Sequence, residues 1–505
     1  MKNVSHSLHE LIHSMTKAEK RYFKLYVRRF TSDNQSIYER LFDVLDTTSE
    51  YDEQALLEKY ADEAFTHRFS IVKNRLYQTV TKSLDAYHSA GNVDIQLKRQ
   101  IHIVDILYRK GLYNQAVRAL RSVKKQAEKH QRVTSLIEIS NWEKKLIEDR
   151  QYEGLKKGDL KKIRQSDEEL VSLVREYNEL WLVKSKIFKT LYQKGKARSA
   201  KDMSKLRALI KDTPIPNENS PFNTRNRFLY NHLNSAFYFA TGEDEKSYPY
   251  LLKNLEIIDS NWSQYAEEPK VILSTLVNLI HVGEKLENEP LLEEHLTRLQ
   301  GLPKKLRRSD EDFKIKVFTH STGFELARYL RRKDYPGGFR FVKEIESQLA
   351  EYDRLLSDGR KAVFYFNFAV LYYQAGHLNE ALKWITQLIN FLDIDETLDI
   401  HCMARIIHLI IHLDLGNESL LPNIQRNTHR FLSKKERVYA FETIFLNFLT
   451  QLQKPSRKTP DNELYESLFQ QLKELREDPY ERRIFEFFDF LSWAEKKRKE
   501  AVRKR

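Results

Sequence analysis

Apolar side chains recur at three- and four-residue steps along this chain, the period of a helix with one buried face. The clearest stretch is Ala362 to Leu392, AVFYFNFAVLYYQAGHLNEALKWITQLINFL, which predicts two amphipathic helices folded back on each other around QAGHLNEA. The hairpin recurs. From Asp94 onward its turn signals appear as RKGLYNQA at Gly111, GLKKGD near Gly158, QKGKARSA at Gly195, ATGEDEKS at Gly242, HVGEKLEN at Gly283, RKDYPGG near Tyr335, QAGHLNEA at Gly376 and DLGNESLL at Gly416. From Gly195 the steps are 47, 41, about 52, about 41 and 40 residues, the punctuation of a helical repeat array.

Four regions follow from this pattern. Residues 1–90 read as a set of short helices, the second opened by TKAE, where Thr16 caps and Glu19 reciprocates. Residues 91–212 and 224–453 read as two parts of the array, separated by TPIPNENSPFN, whose three prolines cannot sit in a helix. After KPSRKTPDN, residues 462–505 read as closing helices with a basic tail. The last, Tyr480 to Lys499, would line up Ile484, Phe487, Phe488 and Leu491 on one face.

Composition narrows the class. With 505 residues the chain exceeds one ordinary core, which fits several domains or an elongated array. Only 14 Gly and 12 Pro beside 31% charged residues describe long helices and short turns, so the expected fold is all-α. The sole cysteine, Cys402, excludes an intramolecular disulfide framework and fits a reducing compartment. The start, MKNVSHSLHE, has no hydrophobic signal core, and no apolar run reaches the roughly 18 residues of a membrane span, so a soluble cytoplasmic protein is expected. The net charge is +13, but residues 495–505 hold seven basic against two acidic side chains. The remainder is mild for so long a chain and reads as solvated helix surface.

NFAVLYYQAGHLNEALKWI resembles a tetratricopeptide repeat through Phe368, Ala369, Tyr372, Gly376, Ala381 and Ile385. Ala369 and Ala381 are small where paired helices approach closest, Tyr372 fills the gap to a neighbour, and Gly376 permits the turn. The frame returns as Ile103, Leu107, Gly111, Ala116 and Leu120, more weakly as Ile187, Leu191, Gly195 and Ala200, and at Tyr238 and Gly242 with Ser247 in the alanine place. The spacing exceeds the roughly 34 residues of the standard repeat and the usual proline is absent at Asp393, marking a divergent relative with longer helices. The resemblance implies a right-handed superhelical solenoid of antiparallel helix pairs whose first helices line a concave, peptide-receiving groove. Carried over, the groove-facing residues are Asp105, Tyr108, Arg109, Lys189, Tyr192, His232, Tyr373 and Gln374, beside Ser185, Phe239, Phe366 and Val370. The family's carboxylate clamp is not reproduced, since Val363, Phe366 and Val370 stand where Lys and Asn would be needed. The same aromatic helix also reads as packed core, with Phe364, Phe368 and Leu371 buried.

One string suggests chemistry. HELIH places His9, Glu10 and His13 in the H-E-x-x-H pattern of zinc hydrolases, but only eight residues precede it and no third histidine follows. The competing reading leaves these histidines on the flank of a short helix whose Leu8, Leu11, Ile12 and Met15 face the core. His408 and His412 share a helix face without a glutamate. Phosphate-loop, dinucleotide and serine-nucleophile motifs are missing. The expected function is therefore a scaffold or adaptor binding a peptide or partner protein, with no catalytic residue, metal or cofactor. The alternative is a nucleic-acid-associated regulator read through Lys17, Lys20, Arg21, Lys24, Arg28, Lys73 and Arg75. A zinc hydrolase through His9, Glu10 and His13 is the remote third.

Overall fold

The computed structural model describes residues 4–29, 37–48, 51–88, 93–211, 213–216, 220, 222–286, 288–306, 311–352, 356–390, 398–454 and 459–503. Among them every regular element is helical. The chain divides into two compact units, Met1–Leu170 and Val171–Arg505. The division falls inside a long helix rather than at the proline stretch, whose described residues are non-helical.

The first unit holds α1 (Val4–Ser14), α2 (Lys17–Arg28), α3 (Ile37–Thr47), α4 (Glu53–Lys59), α5 (Phe69–His88), α6 (Val93–Arg109), α7 (Tyr113–Lys129), α8 (Val133–Asp149) and the start of α9 (Asp159–Lys194). Thr16 caps α2 by accepting from the Glu19 N–H, and the Glu19 carboxylate accepts from the Thr16 N–H at 2.7 Å. That box fixes the entry of α2, so Phe23 and Val27 turn inward beside Leu8, Ile12, Leu41 and Leu76. The Phe23 and Phe42 rings stack at 4.3 Å, each side chain contributing about 2 kcal/mol through burial.

The second unit continues with α10 (Ala200–Ile210), α11 (Thr224–Thr241), α12 (Asp244–Ser260), α13 (Trp262–Tyr265), α14 (Pro269–Lys285), α15 (Glu289–Lys305), α16 (Glu311–Arg331), α17 (Tyr335–Tyr352), α18 (Asp358–Gln374), α19 (Leu378–Asn390), α20 (Leu398–Asp414), α21 (Leu421–Lys434), α22 (Ala440–Leu452), α23 (Asp461–Glu477) and α24 (Phe490–Arg503). Neighbours in sequence pack as pairs: α11 with α12, α14 with α15, α16 with α17, α18 with α19 and α20 with α21. Ala369 and Ala381 are fully buried between α18 and α19, and Ala116 is equally buried in the first unit. Ala200 differs. It is exposed at the start of α10, and the close approach is made by Ala197, whose N–H donates to the Ala240 carbonyl.

One turn geometry closes most pairs. At Gly111, Gly242, Gly376 and Gly416 the φ angle is positive, the glycine N–H donates three residues back, and the next N–H donates five residues back. The same double bond recurs at Gln131, Gln151, Lys333 and Glu436, where a side chain accepts the left-handed conformation. Two stretches depart from the sequence expectation. Gly283 makes no turn; it lies inside α14, where Leu292 of α15 approaches so closely that a Cβ would stand 3.2 Å from it. Nor is Tyr480 to Lys499 one helix. Pro479 ends α23 at Glu477, a short 3-10 turn spans Arg482–Glu486, and Asp489 starts α24 by accepting from the Ser492 N–H.

Candidate functional site

Within the second unit, α11, α14, α16, α18 and α20 face a common space, to which α12 adds Ser247 and Leu251 and α17 adds Tyr335. His232, Ala236 and Phe239 of α11, Asn278, His281 and Lys285 of α14, Ala327 and Leu330 of α16, Phe366, Val370 and Gln374 of α18, and Asp399 and Met403 of α20 recur at three- to four-residue steps and so share one face of each helix. Together they bound a cavity of about 1380 Å³. Among the described residues, α15, α19 and α21 contribute nothing to its wall.

Another wall is the C-terminal segment 483–489, which reaches back to the turns after α9 and α11. The Arg483 guanidinium donates to the carbonyls of Ala197, at 2.7 Å, and Thr241, thereby placing a cation at the C-terminal end of α11. A Cβ on Gly242 would fall on that guanidinium, so this glycine supplies both the turn and the seat. Glu481 joins a buried triad: Arg198 donates to Glu442 at 2.9 and 3.2 Å and to Glu481 at 2.6 Å. Burial opposes the Arg198 charge, but the two carboxylates outweigh it and raise its pKa. The Phe487 ring meets Phe366 edge-on at 6.1 Å, and Phe488 meets Tyr373 at 5.2 Å.

Two lysines share one carboxylate of this segment. Lys285 Nζ donates to both Glu486 oxygens, at 2.9 and 3.0 Å, and stands 3.5 Å from Asp244. Lys196 Nζ stays 3.9 Å from Glu486, makes no hydrogen bond, and rests 4.1 Å above the Phe239 ring. Burial, with the adjacent Lys285 charge, pushes the Lys196 amine down to about 7. Burial raises Glu284 to about 7. His281 opens onto the cavity, yet the surrounding protein and both ammoniums hold its pKa below the usual range. Cys402 lines the wall with its thiol pushed up to about 12 by burial, a poor nucleophile.

The groove residues read from the sequence separate. Tyr192, His232 and Gln374 line the cavity. His232 lies between the Phe188 and Phe228 rings, and burial lowers its pKa to about 4. Lys189 is exposed on α9 away from the cavity lining. Tyr373 turns aside from the lining: its hydroxyl donates to Asp414 at 2.5 Å. Asp105, Tyr108 and Arg109 belong to the first unit. There Arg109 donates to Asp105 at 2.9 Å, and Tyr108 packs against Tyr113 and Trp142. Sequence reasoning missed Lys196, Arg198, Lys285 and the segment 481–489. The only sequence signal for them was charge at turn positions, which solvated turns share.

The histidines of HELIH have other partners. His9 Nε2 donates to the Thr48 carbonyl at 2.7 Å and His13 Nε2 to the Leu45 carbonyl at 3.0 Å, tying α1 to α3 and its end. In the second unit Asn417 donates to His412 Nδ1, and His412 Nε2 then donates to His408 Nε2, each at 3.0 Å. No group of three His, Cys, Asp or Glu among the described residues is placed to hold a metal ion. Of the seven basic residues on which the nucleic-acid alternative rests, Lys20, Lys24, Arg28 and Lys73 pair with Asp46, Asp43, Glu39 and Glu53. No described helix is long and apolar enough to cross a membrane. No family model matches the chain, and neither does any curated protein or solved structure.

Proposed function

We propose that the protein is a protein-interaction scaffold, a divergent tetratricopeptide-like solenoid of right-handed sense that receives a peptide or a partner's segment between the first helices of its second unit. The observation that carries this reading is the shared face of α11, α14, α16, α18 and α20 around a cavity of about 1380 Å³. Pockets that enclose drug-sized ligands run from about 300 to 1,000 Å³, so this space suits a chain segment of several residues. Its lining mixes aromatic anchors such as Tyr192 and Phe239 with polar groups such as Asn278 and Gln374. Such surfaces give contact area at small entropic cost and leave hydrogen bonds for specificity.

The test is affinity capture with the wild type and a Tyr192→Ala, Asn278→Ala, Gln374→Ala variant, side chains that are at least partly exposed and so expendable for folding. A partner retained by the wild type and lost by the variant supports the reading. Partners bound equally by both, or by neither, refute it.

A further inference from the structure

The cavity already contains a clue to what it receives, because one of its walls is a piece of the chain whose chemistry can be read. Residues 485–489 are Phe-Glu-Phe-Phe-Asp, aromatic and acidic in alternation. Glu486 is 41% exposed beside the cavity and offers one carboxylate to two ammoniums. It satisfies Lys285 and falls short of Lys196, whose Nζ is left with the Phe239 ring and no hydrogen bond. Asp244 supplies a second acid 3.5 Å from Lys285, but no carboxylate comes within hydrogen-bond distance of Lys196, and a buried amine without a hydrogen bond is costly. Base exceeds acid around the rest of the lining: Lys333, Lys473 and Arg476 are exposed and Arg331 is paired to Glu284, against Asp489 and Glu495. An excess of one sign steers oppositely charged partners.

We infer that Glu486 and Phe487 hold the place of an acidic, aromatic-bearing segment of a partner protein, which seats a carboxylate between Lys196 and Lys285 and an aromatic ring against Phe366. This rests on the scaffold reading and gives its partner a chemistry. Displacement is local. Phe488 and Phe490 are almost wholly buried and keep the segment's far end in the core, while Glu486 is exposed and Phe487 only partly buried. The chain's own residues thus act as a weak competitor, and a partner must outbid them with a second carboxylate contact.

The experiment uses the full-length chain and a fluorescein-labelled peptide copying residues 485–491, read by anisotropy. A Glu486→Gln, Phe487→Ala receptor should bind the peptide at least tenfold more tightly than the wild type. Adding Lys285→Glu should remove that gain, and a peptide with Gln and Asn in place of its Glu and Asp should bind at least tenfold more weakly. Thermal unfolding checks that each receptor is folded, and Glu486→Gln alone, the milder change, should still tighten binding about threefold. Equal binding by wild-type and loosened receptors, equal binding of acidic and amide peptides, or uptake of a labelled single-stranded oligonucleotide instead of the peptide overturns the inference. Should the peptide fail while capture still depends on Tyr192, Asn278 and Gln374, the acidic-segment inference falls and the scaffold stands. Failure of both removes both.

Discussion

Replacing Arg198 by Ala should destabilise the second unit more than any substitution at an exposed charge. The guanidinium is 11% exposed and holds two carboxylates that are 0% and 7% exposed, Glu442 and Glu481. Its removal deletes three charge-assisted hydrogen bonds and leaves both acids facing each other away from water. Each keeps one backbone donor, the Tyr439 N–H for Glu442 and the Ala440 N–H for Glu481, too little to carry a buried charge. Breaking a buried ion pair from one side costs about 3–5 kcal/mol. With the usual unfolding entropy per residue, a unit of this size should then melt about 4–7 °C lower. Arg198→Lys keeps the charge without the two-pronged geometry and should fall between. Differential scanning calorimetry reads the shift. The decisive control adds Glu442→Gln and Glu481→Gln to Arg198→Ala, which should restore at least half of the loss. A single variant melting within 1 °C of the wild type, or a triple variant no better than the single, refutes the argument.

Three further outcomes follow from the same geometry. Gly242→Ala and Gly376→Ala both force a side chain into a left-handed turn, at about 1–2 kcal/mol, but only at Gly242 does the Cβ collide, with Arg483; calorimetry should find Gly242→Ala clearly the worse. Lys333→Gly should be neutral to stabilising by up to about 1 kcal/mol in the same assay, because Lys333 now holds a positive φ. His232, His320 and His408 are each lowered by burial, to about 4, so the unfolded chain binds more protons between pH 4 and 6.5 and stability should rise with pH across that window. Glu284, raised to about 7, and Glu325, also raised by burial, act oppositely above pH 4.5, but His281 is lowered like the other three histidines, so the histidines prevail. His232→Phe, which keeps the stack on Phe188 and Phe228, should reduce the slope of unfolding free energy against pH by about one proton.

The helical pairs were legible because their signals are local. A 3.6-residue apolar period, a capping box at Thr16 and glycines at Gly111, Gly242, Gly376 and Gly416 each act within a few residues of themselves. The turns at Gln131, Gln151 and Glu436 escaped notice because those residues adopt the same conformation without a glycine to announce it, and the turn at Lys333 showed only through the Pro-Gly-Gly that follows it. Gly283 misled in the other direction: in a helix the missing Cβ makes room for Leu292, and a turn glycine and a packing glycine look alike in sequence. The cavity was half legible. The helix period indicated which faces of α11 and α18 point together, hence His232 and Gln374. It said nothing of Glu481, Arg483 and Glu486, whose partners lie 201 to 286 residues away and are chosen by the fold alone. Ile484, Phe487 and Phe488 fit a helical stripe by spacing, yet Pro479 and the Asp489 cap broke the helix and turned part of that stripe toward the cavity.

The most direct test of the scaffold account is site-specific photo-crosslinking in cells, with a photoreactive residue placed at Asn278 on the cavity wall of α14 or at Thr297 on α15, outside that wall. The account requires a discrete partner adduct from position 278 and none from 297, with the 278 adduct abolished by Lys285→Glu. Adducts formed equally from both positions, or from 297 alone, would contradict it.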